Sequence, residues 1–240
     1  NPGKKTESIL MLGFSSRNPS IAEKYIEKII SNGYTVVVYN QVGEGENITR
    51  ERTGIYSPGT FFNEKTENIS NNISCMWIEK HVKSKFNKTG SIVIGMSNID
   101  IFTGKSCFYE ITTENLHNPT TYDELERFIS TYNPNETLIV CNISEREITD
   151  IIQYIGLASK KSHILNTSDT KVKNAEKQTY QREILCKLFS ENIGESLFYN
   201  SMEYTFGIQS YVFLLNFVYE HNASLLTKIQ EPVIENNTQR

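Results

Sequence analysis

The sequence predicts an α/β protein, and three observations lead to this prediction. Short β-branched segments alternate with amphipathic segments of helical period over roughly the first 190 residues. Clusters of Gly, Asn and Pro separate these segments, as expected where a chain turns. The stretch from Phe206 to Tyr219 is apolar nearly all round, which is typical of a helix buried between other helices. We therefore expect mixed α/β units followed by the start of an all-α core.

The composition indicates a folded chain without strong overall charge. The 240 residues are 38% hydrophobic and 11% aromatic, which favours a packed core over disorder. The net charge of -4 lacks the overall basic character of many nucleic-acid-binding proteins, so a contact with DNA would need a local patch. The longest apolar stretch is shorter than the ~20 residues that span a bilayer, and no membrane partner is expected.

The cysteines and histidines show no metal-ligand spacing, so we predict neither a metal site nor a disulfide framework. Three of the four cysteines lie in apolar segments, where a reduced, buried cysteine is the expected state. The cysteines are Cys75, Cys107, Cys141 and Cys186, and the histidines are His81, His117, His163 and His221.

The first segments predict a β-α-β order. Ile9 to Phe14 has the apolar run of a short buried strand. Asn18 is a predicted N-cap with Pro19 at the first helical position, and an apolar stripe then recurs at helical spacing until Asn32-Gly33 ends the helix. Tyr34 to Tyr39 contains three consecutive valines, which predicts a strand at a buried sheet position.

The predicted sheet continues after a Gly/Glu loop, Gly43 to Asn47, into a second strand. This strand stops at the turn sequence Ser57-Pro58-Gly59-Thr60. The polar, Asn-rich segment from Asn63 to Asn72 then predicts a linker to a separate unit.

The second unit begins with three strands and continues with alternating helices and strands. The sequences Thr121-x-x-Glu124 and Ser144-x-x-Glu147 each predict a capping box at a helix start. The resulting order, β-β-β-α-β-α-β-α over about residues 70 to 190, describes a ribonuclease-H-like α/β domain. The predicted strands are Ile73–Val82, Ser91–Ser97, Lys105–Thr112, Thr137–Cys141 and Ser162–Leu165, and the last predicted helix is Ala175–Phe189.

Two patterns could carry chemistry in this unit. Gly104-Lys105-Ser106 matches the end of a phosphate-binding loop, but Ile99 stands where the first glycine of that loop would be required. Gly104 is therefore better explained as a hairpin turn residue. Glu79, Asp100 and Glu110 are candidate metal-binding carboxylates for a nuclease of this fold, although their strand positions do not force them to converge.

The first unit resembles one family over about fifty residues, the MutS DNA mismatch-repair ATPases. The resemblance rests on Gly13-Phe14, the helix through Ile30, Gly33-Tyr34, Asn40-Gln41-Val42 and the turn from Ser57 to Thr60. The ribonuclease-H-like order then matches the family's connector domain. The Asn-, Ile- and Lys-rich composition and Asn40-Gln41 are most similar to the MutS encoded in octocoral mitochondrial genomes, which implies a mitochondrial protein.

The resemblance implies three domains in a fragment of a longer protein. Residues 1–62 would be the C-terminal half of the mismatch-recognition domain, residues 63–192 the connector domain, and residues 193–240 the truncated beginning of the helical core. The resemblance also implies a parent that binds mismatched double-stranded DNA as a homodimer, contacts repair factors through its connector, and uses ATP and Mg²⁺. We expect neither a cofactor site nor catalytic residues in this fragment.

Arg17, Arg50 and Arg52 are the predicted DNA-binding residues. By the resemblance, Arg17 lies in a loop on the DNA-facing side of the recognition domain, where its guanidinium would contact phosphate. A solvated loop arginine explains Arg17 equally well. Arg50 and Arg52 open the strand that ends at Ser57.

Two alternatives from other classes stay open on the sequence alone. One is a ribonuclease-H-like, metal-dependent nuclease that uses the candidate carboxylates. The other is a non-catalytic interaction module.

Overall fold

The computed structural model describes residues 19–43, 47–61, 70–81, 90–116 and 118–234. They form a helix with a two-stranded sheet, followed by a six-stranded sheet with helices on both faces. The predicted strand from Ile9 to Phe14, the predicted cap Asn18 and the candidate Arg17 lie outside these residues. We call residues 19–43 and 47–61 the N-terminal unit.

The N-terminal unit begins with α1, Pro19–Ser31. As predicted, Gly33 ends this helix: it adopts a left-handed φ of 80° and its N–H donates to the carbonyl of Ile30. Strands β1, Val36–Val42, and β2, Thr49–Tyr56, then pair as an antiparallel hairpin. The prediction that the valine run lies at a buried sheet position was wrong, because Val37 and Tyr39 are exposed on this hairpin.

The six-stranded sheet has the strand order β7-β6-β3-β4-β5-β8. The strands β3, β4 and β5 are consecutive and antiparallel, while β6 lies parallel to β3 and β7 parallel to β6. This arrangement is the ribonuclease-H-like α/β fold that the sequence predicted. The strands are β3 Asn72–His81, β4 Ser91–Asp100, β5 Ser106–Glu114, β6 Glu136–Cys141, β7 Lys161–Asn166 and β8 Val233–Ile234.

Helices cover both faces of this sheet. On one face, α2 and α3 bury Leu125, Phe128, Ile148 and Ile151 against the strands. On the other face, α7 forms the centre of the core, with α4, α5 and α6 packed beside it. The helices are α2 Asp123–Tyr132, α3 Glu145–Tyr154, α4 Thr170–Ala175, α5 Gln178–Phe189, α6 Glu191–Asn200 and α7 Thr205–His221, and short 3₁₀ helices span Pro119–Tyr122 and Ala223–Lys228.

Helix α7 packs differently from the prediction. Its apolar sequence indicated burial between other helices, but the helix lies on β3, β4 and β5. Tyr211, for example, is fully buried, stacks on Phe108 with ring centroids 5.3 Å apart, and its hydroxyl is 2.9 Å from that of Ser106. Sheet burial produces the same all-round apolar pattern as helix burial, so the sequence did not separate the two.

The contact between α7 and the sheet is closest at Gly95. A Cβ built at this position would lie 2.0 Å from the carbonyl oxygen of Phe206 and 2.5 Å from the nitrogen of Gly207. The backbone of α7 can therefore reach the backbone of β4 only because residue 95 has no side chain. The carboxylate of Glu110 on β5 accepts hydrogen bonds from the N–H groups of Phe206 and Gly207, at 2.6 and 3.2 Å, and so caps the same end of the helix.

The two predicted capping boxes had different outcomes. Ser144 caps α3 as predicted, with its hydroxyl 3.4 Å from the N–H of Glu147, but the Glu147 carboxylate pairs with Lys80 and does not complete the box. The box at Thr121 does not form, because a 3₁₀ turn precedes α2 and the Thr121 hydroxyl accepts from the N–H of Leu116 instead. The predicted last helix, Ala175–Phe189, is present as α5 and begins three residues later than predicted, and the short helix α4 before it was not predicted.

The four cysteines all lie in the described residues and form no disulfide there, and Cys75, Cys107 and Cys141 are buried as predicted. Among the helices of the described residues, none has the length and apolar character needed to cross a membrane.

Candidate junction and nucleic-acid surface

Arg50 and Arg52 lie on one face of the exposed hairpin. Arg52 is paired with Tyr39 across the hairpin and Arg50 with Gln41, and residues paired directly across antiparallel strands project to the same face. The Tyr39 side chain is 59% exposed. This face therefore carries two guanidinium groups beside an exposed aromatic ring, which are groups that contact nucleic-acid phosphates and stack on bases.

A second site lies where the N-terminal unit meets the six-stranded sheet, and Glu136 is its centre. Glu136 begins β6, and its side chain is completely buried. Its Oε2 accepts a hydrogen bond from the Ser57 hydroxyl at 2.5 Å and another from the N–H of Gly59 at 2.9 Å. Its Oε1 lies 2.6 Å from Nε2 of His163 on β7. We call Ser57, Gly59, Glu136 and His163 the Glu136 junction.

The turn that enters this junction is itself closely ordered. The N–H of Ser57 donates to the Thr60 hydroxyl at 3.1 Å, and the two hydroxyls are 2.7 Å apart. A Cβ built on Gly59 would lie 2.5 Å from Ile73 Cγ1 and 2.9 Å from Glu136 Cβ. Glycine at this position therefore allows the turn to lie directly on the ends of β3 and β6.

Asn71 provides a second set of bonds to the same turn. Its side-chain amide donates to the carbonyls of Gly59 and Phe61, at 2.9 and 3.2 Å. Its own side-chain oxygen accepts from Asn135, the residue before Glu136, at 2.8 Å. Asn71, near the C-terminal end of the predicted linker, therefore ties the turn to the start of β6.

The electrostatics of the junction favour an ionised Glu136. Burial raises the pKa of this carboxyl group, but the hydrogen bonds from His163, Ser57 and Gly59 outweigh burial, and the net pKa lies below the usual glutamate value. A carboxylate that accepts three such bonds is compensated for its loss of water.

The C-terminal end of α7 lies beside the junction. The rings of His163 and Phe217 have centroids 5.7 Å apart, and Phe217 lies 4.0 Å from His221. Burial lowers the pKa of His221, although the Phe217 carbonyl and the charge of Glu136 partly oppose that effect. The same end of α7 and β2 border a cleft of about 270 Å³ that Arg52 lines. Helix α7 therefore contacts both the hairpin and the junction.

The candidate nuclease carboxylates do not come together. On β4, Asp100 is opposite Asn72 of β3, so Glu79 is seven residues away along β3, or ~23 Å. Asp100 accepts from the N–H groups of Asn71 and Phe102 and the hydroxyl of Thr103, which assigns it to the turn after β4. Glu110 caps α7. In the described part of the chain no group of three or more acidic, histidine or cysteine side chains could hold a metal ion.

The Gly-Lys-Ser sequence lies in a hairpin turn, as predicted. Gly104 has a left-handed φ of 74°, and a Cβ there would lie 2.0 Å from the carbonyl oxygen of Lys228. The following residues enter β5 rather than a helix, so this sequence does not place the helix N-terminus that a phosphate-binding loop requires.

Sequence reasoning missed the whole Glu136 junction apart from the Ser57 to Thr60 turn. One signal for Glu136 was present, because an acidic residue directly precedes the apolar strand Thr137 to Cys141. A buried charge needs a partner, but Ser57 and His163 are 79 and 27 residues away along the chain, so spacing did not reveal them.

Two solved structures overlap this chain with low TM-scores. The fowlpox virus Holliday junction resolvase has a TM-score of 0.36 and 12% identity, with 61% of this chain and 98% of that chain covered. T. thermophilus RuvC has a TM-score of 0.31 and 8% identity, with 64% and 97% covered.

The sequence comparisons point to one family. Residues 1–65 match the model for MutS domain I. A DNA mismatch repair protein mutS homolog of Acanthamoeba polyphaga mimivirus is 27% identical over 233 residues, which cover 88% of this chain and 20% of that protein. DNA mismatch repair protein MutS of Thermodesulfovibrio yellowstonii is 30% identical over 137 residues, which cover 55% of this chain and 14% of that protein.

The chain thus spans about a fifth or less of the length of these relatives. The chain is thus similar to MutS domain I over residues 1–65 and, over longer stretches, to proteins named as mismatch-repair MutS or mutS homologues.

Proposed function

We propose that this chain is the part of a mismatch-repair protein that joins DNA recognition to the connector. The parent protein would bind mismatched double-stranded DNA and couple ATP binding to repair signalling. The match of residues 1–65 to MutS domain I carries the proposal, since that segment leads directly into the Glu136 junction. The role of this part is mechanical: it transmits the position of the DNA-bound unit to the six-stranded sheet.

Several features of the parent belong to this proposal. It would act as a homodimer, use ATP and Mg²⁺ at a site outside this chain, and contact repair factors through the connector. A mitochondrial location, and a particular similarity to the octocoral proteins, are proposed from the Asn-, Ile- and Lys-rich composition and from Asn40-Gln41.

The hairpin face supports a role in contacting the DNA backbone. Arg50 and Arg52 are exposed and lie on the same face as Tyr39. Two arginines that are two residues apart on one strand face would contact phosphates. They would position the protein without reading base sequence. Arg17 is proposed as a third phosphate contact.

The experiment is a DNA-binding measurement on this 240-residue chain. Fluorescence anisotropy would compare a duplex that carries one mismatch with the matched duplex at several salt concentrations. We expect weak binding with little mismatch preference, and we expect the double change Arg50→Glu/Arg52→Glu to reduce the salt-dependence slope by about 2, as loss of two phosphate contacts predicts.

The matched control is Arg146→Glu/Lys177→Glu, which makes the same change in net charge at exposed positions on α3 and beside α5. If the control weakened DNA binding as much as the hairpin variant, binding would depend on the net charge of the chain. That result would contradict the assignment of Arg50 and Arg52.

A further inference from the structure

Within the described residues, directional polar bonds attach the N-terminal unit to the six-stranded sheet. Ser57 and Thr60 are buried although both are polar, and the Glu136 carboxylate satisfies the Ser57 hydroxyl and the N–H of Gly59. Asn71 adds donors to the carbonyls of the same turn. This differs from the attachment of α7, whose apolar side chains lie in the core.

Apolar contact contributes less to this attachment than to the packing of α7. On α1, Tyr25 and Ile29 are 40% and 42% exposed, and on the hairpin Tyr39 is 59% exposed. The N-terminal unit also contacts the C-terminal end of α7 through β2. In the described residues, the orientation of the unit therefore depends more on hydrogen bonds, two of which share the Glu136 carboxylate, than on a broad apolar interface.

Glu136 is the acceptor on which these bonds converge. Both of its oxygens are used: one accepts from the turn and the other faces His163 on β7. Hydrogen bonds to an ionised acceptor are stronger than those between neutral groups. Loss of the negative charge would therefore weaken every bond of the Glu136 junction at once.

We propose that the Glu136 junction is a releasable attachment, which lets the N-terminal unit detach from the six-stranded sheet while that sheet stays folded. The charged state of Glu136 keeps the unit in one orientation, and removal of that charge frees it. The attachment is a property of this chain alone; its use in signalling rests on the proposed function.

The charged and titratable groups around Glu136 define how this attachment responds to pH. His163 and Lys161 face it from β7, and His221 and Glu220 lie on the adjoining end of α7. The pKa of Glu136 is lowered in the folded chain. The attachment is therefore complete above the ordinary glutamate value of 4.5 and is lost as the pH falls through the lower, folded-state value.

The test is amide hydrogen exchange, read by mass spectrometry, on the 240-residue chain. In Glu136→Gln we expect amides of β2 and residues 57–61 to exchange about tenfold faster or more at neutral pH, while amides of β3, β4 and β6 change by less than about twofold. The matched control is Glu114→Gln, which neutralises an exposed carboxylate on the same sheet and should change neither set.

Ser57→Ala removes the hydroxyl donor to Glu136 and leaves the sheet unaltered. We expect amide exchange to accelerate less than in Glu136→Gln, and only in the N-terminal unit. On acidification of the wild-type chain, exchange in residues 49–61, corrected for the intrinsic rate, should accelerate before that of β3. Glu136→Gln should lack this transition.

Two results would overturn the proposal. Equal acceleration in the sheet and the unit would make Glu136 part of one cooperative core, and unchanged exchange in residues 49–61 would place the attachment elsewhere. Neither measurement uses DNA or ATP, so a failure here leaves the DNA-binding test of the proposed function unaffected, and the reverse also holds.

Discussion

The two sheets contain similar strand sequences but differ in burial. In the hairpin, β1 begins Val36-Val37-Val38, and Val37 is 46% exposed. In the large sheet, β4 contains Ile92-Val93-Ile94, and Ile94 is fully buried. A β-branched run predicts a strand in both cases, but helices packed on both faces decide how much of the strand is buried. The stability of the chain should therefore be concentrated in the six-stranded sheet.

The largest expected effect is a cavity in that sheet. Ile94→Ala should lower the free energy of unfolding by about 4 kcal/mol, because it removes a fully buried side chain from a packed core. Val37→Ala on the hairpin should cost less than about 0.5 kcal/mol. Urea unfolding followed by the fluorescence of Trp77, the one tryptophan, measures both. Similar losses for the two variants would contradict the comparison.

A smaller effect is expected where backbones touch. Gly95→Ala should cost about 2–3 kcal/mol, because its Cβ would overlap the backbone of α7 at Phe206 and Gly207. Gly33→Ala, at a left-handed φ but with open space around the new Cβ, should cost only about 1 kcal/mol. The same urea titration checks this pair, and a Gly95 variant as stable as the Gly33 variant would show that α7 can shift without loss.

The smallest expected difference in stability is between the losses of two side-chain hydrogen bonds. Ser144→Ala should cost about 1 kcal/mol, since it removes the N-cap of α3, which packs on the sheet. Thr53→Ala removes a 3.3 Å bond to the carbonyl of Val38 on the exposed hairpin and should cost less than about 0.5 kcal/mol. Thermal unfolding by circular dichroism resolves the difference, and the prediction fails if Thr53→Ala is the more damaging change.

The order of the elements could be predicted because it depends on local signals. The capping residue Ser144, the stop at Gly33 and the hairpin glycine Gly104 all act within a few residues of their position. The ribonuclease-H-like fold class followed from three consecutive strands and the alternating helices and strands after them. Local spacing was therefore sufficient for the fold class.

The junction could not be predicted because its partners are distant along the chain. Glu136 is identified only by its bonds to Ser57 and His163, which the fold alone brings together. The predicted carboxylates show the converse: Asp100 and Glu110 have the right chemistry for a metal, but a turn and a helix terminus use them. The residue type indicated which chemistry was possible, but the neighbouring groups in the fold determine the role that each carboxylate has.

The two ends of helix α7 are held in different ways. Backbone contact and a carboxylate cap hold its N-terminal end, whereas side-chain packing holds its C-terminal end. Gly95 and Glu110 fix the N-terminal end against the strands, so the helix has little freedom to slide along the sheet. Any movement of the helix would therefore have to pivot about that end. The helix has 17 residues, or ~25 Å of length, so a rotation of about 10° would displace its far end by about 4 Å. That displacement would occur beside His163 and β2. There, a small change in the angle of the helix would move its end by more than the length of a hydrogen bond.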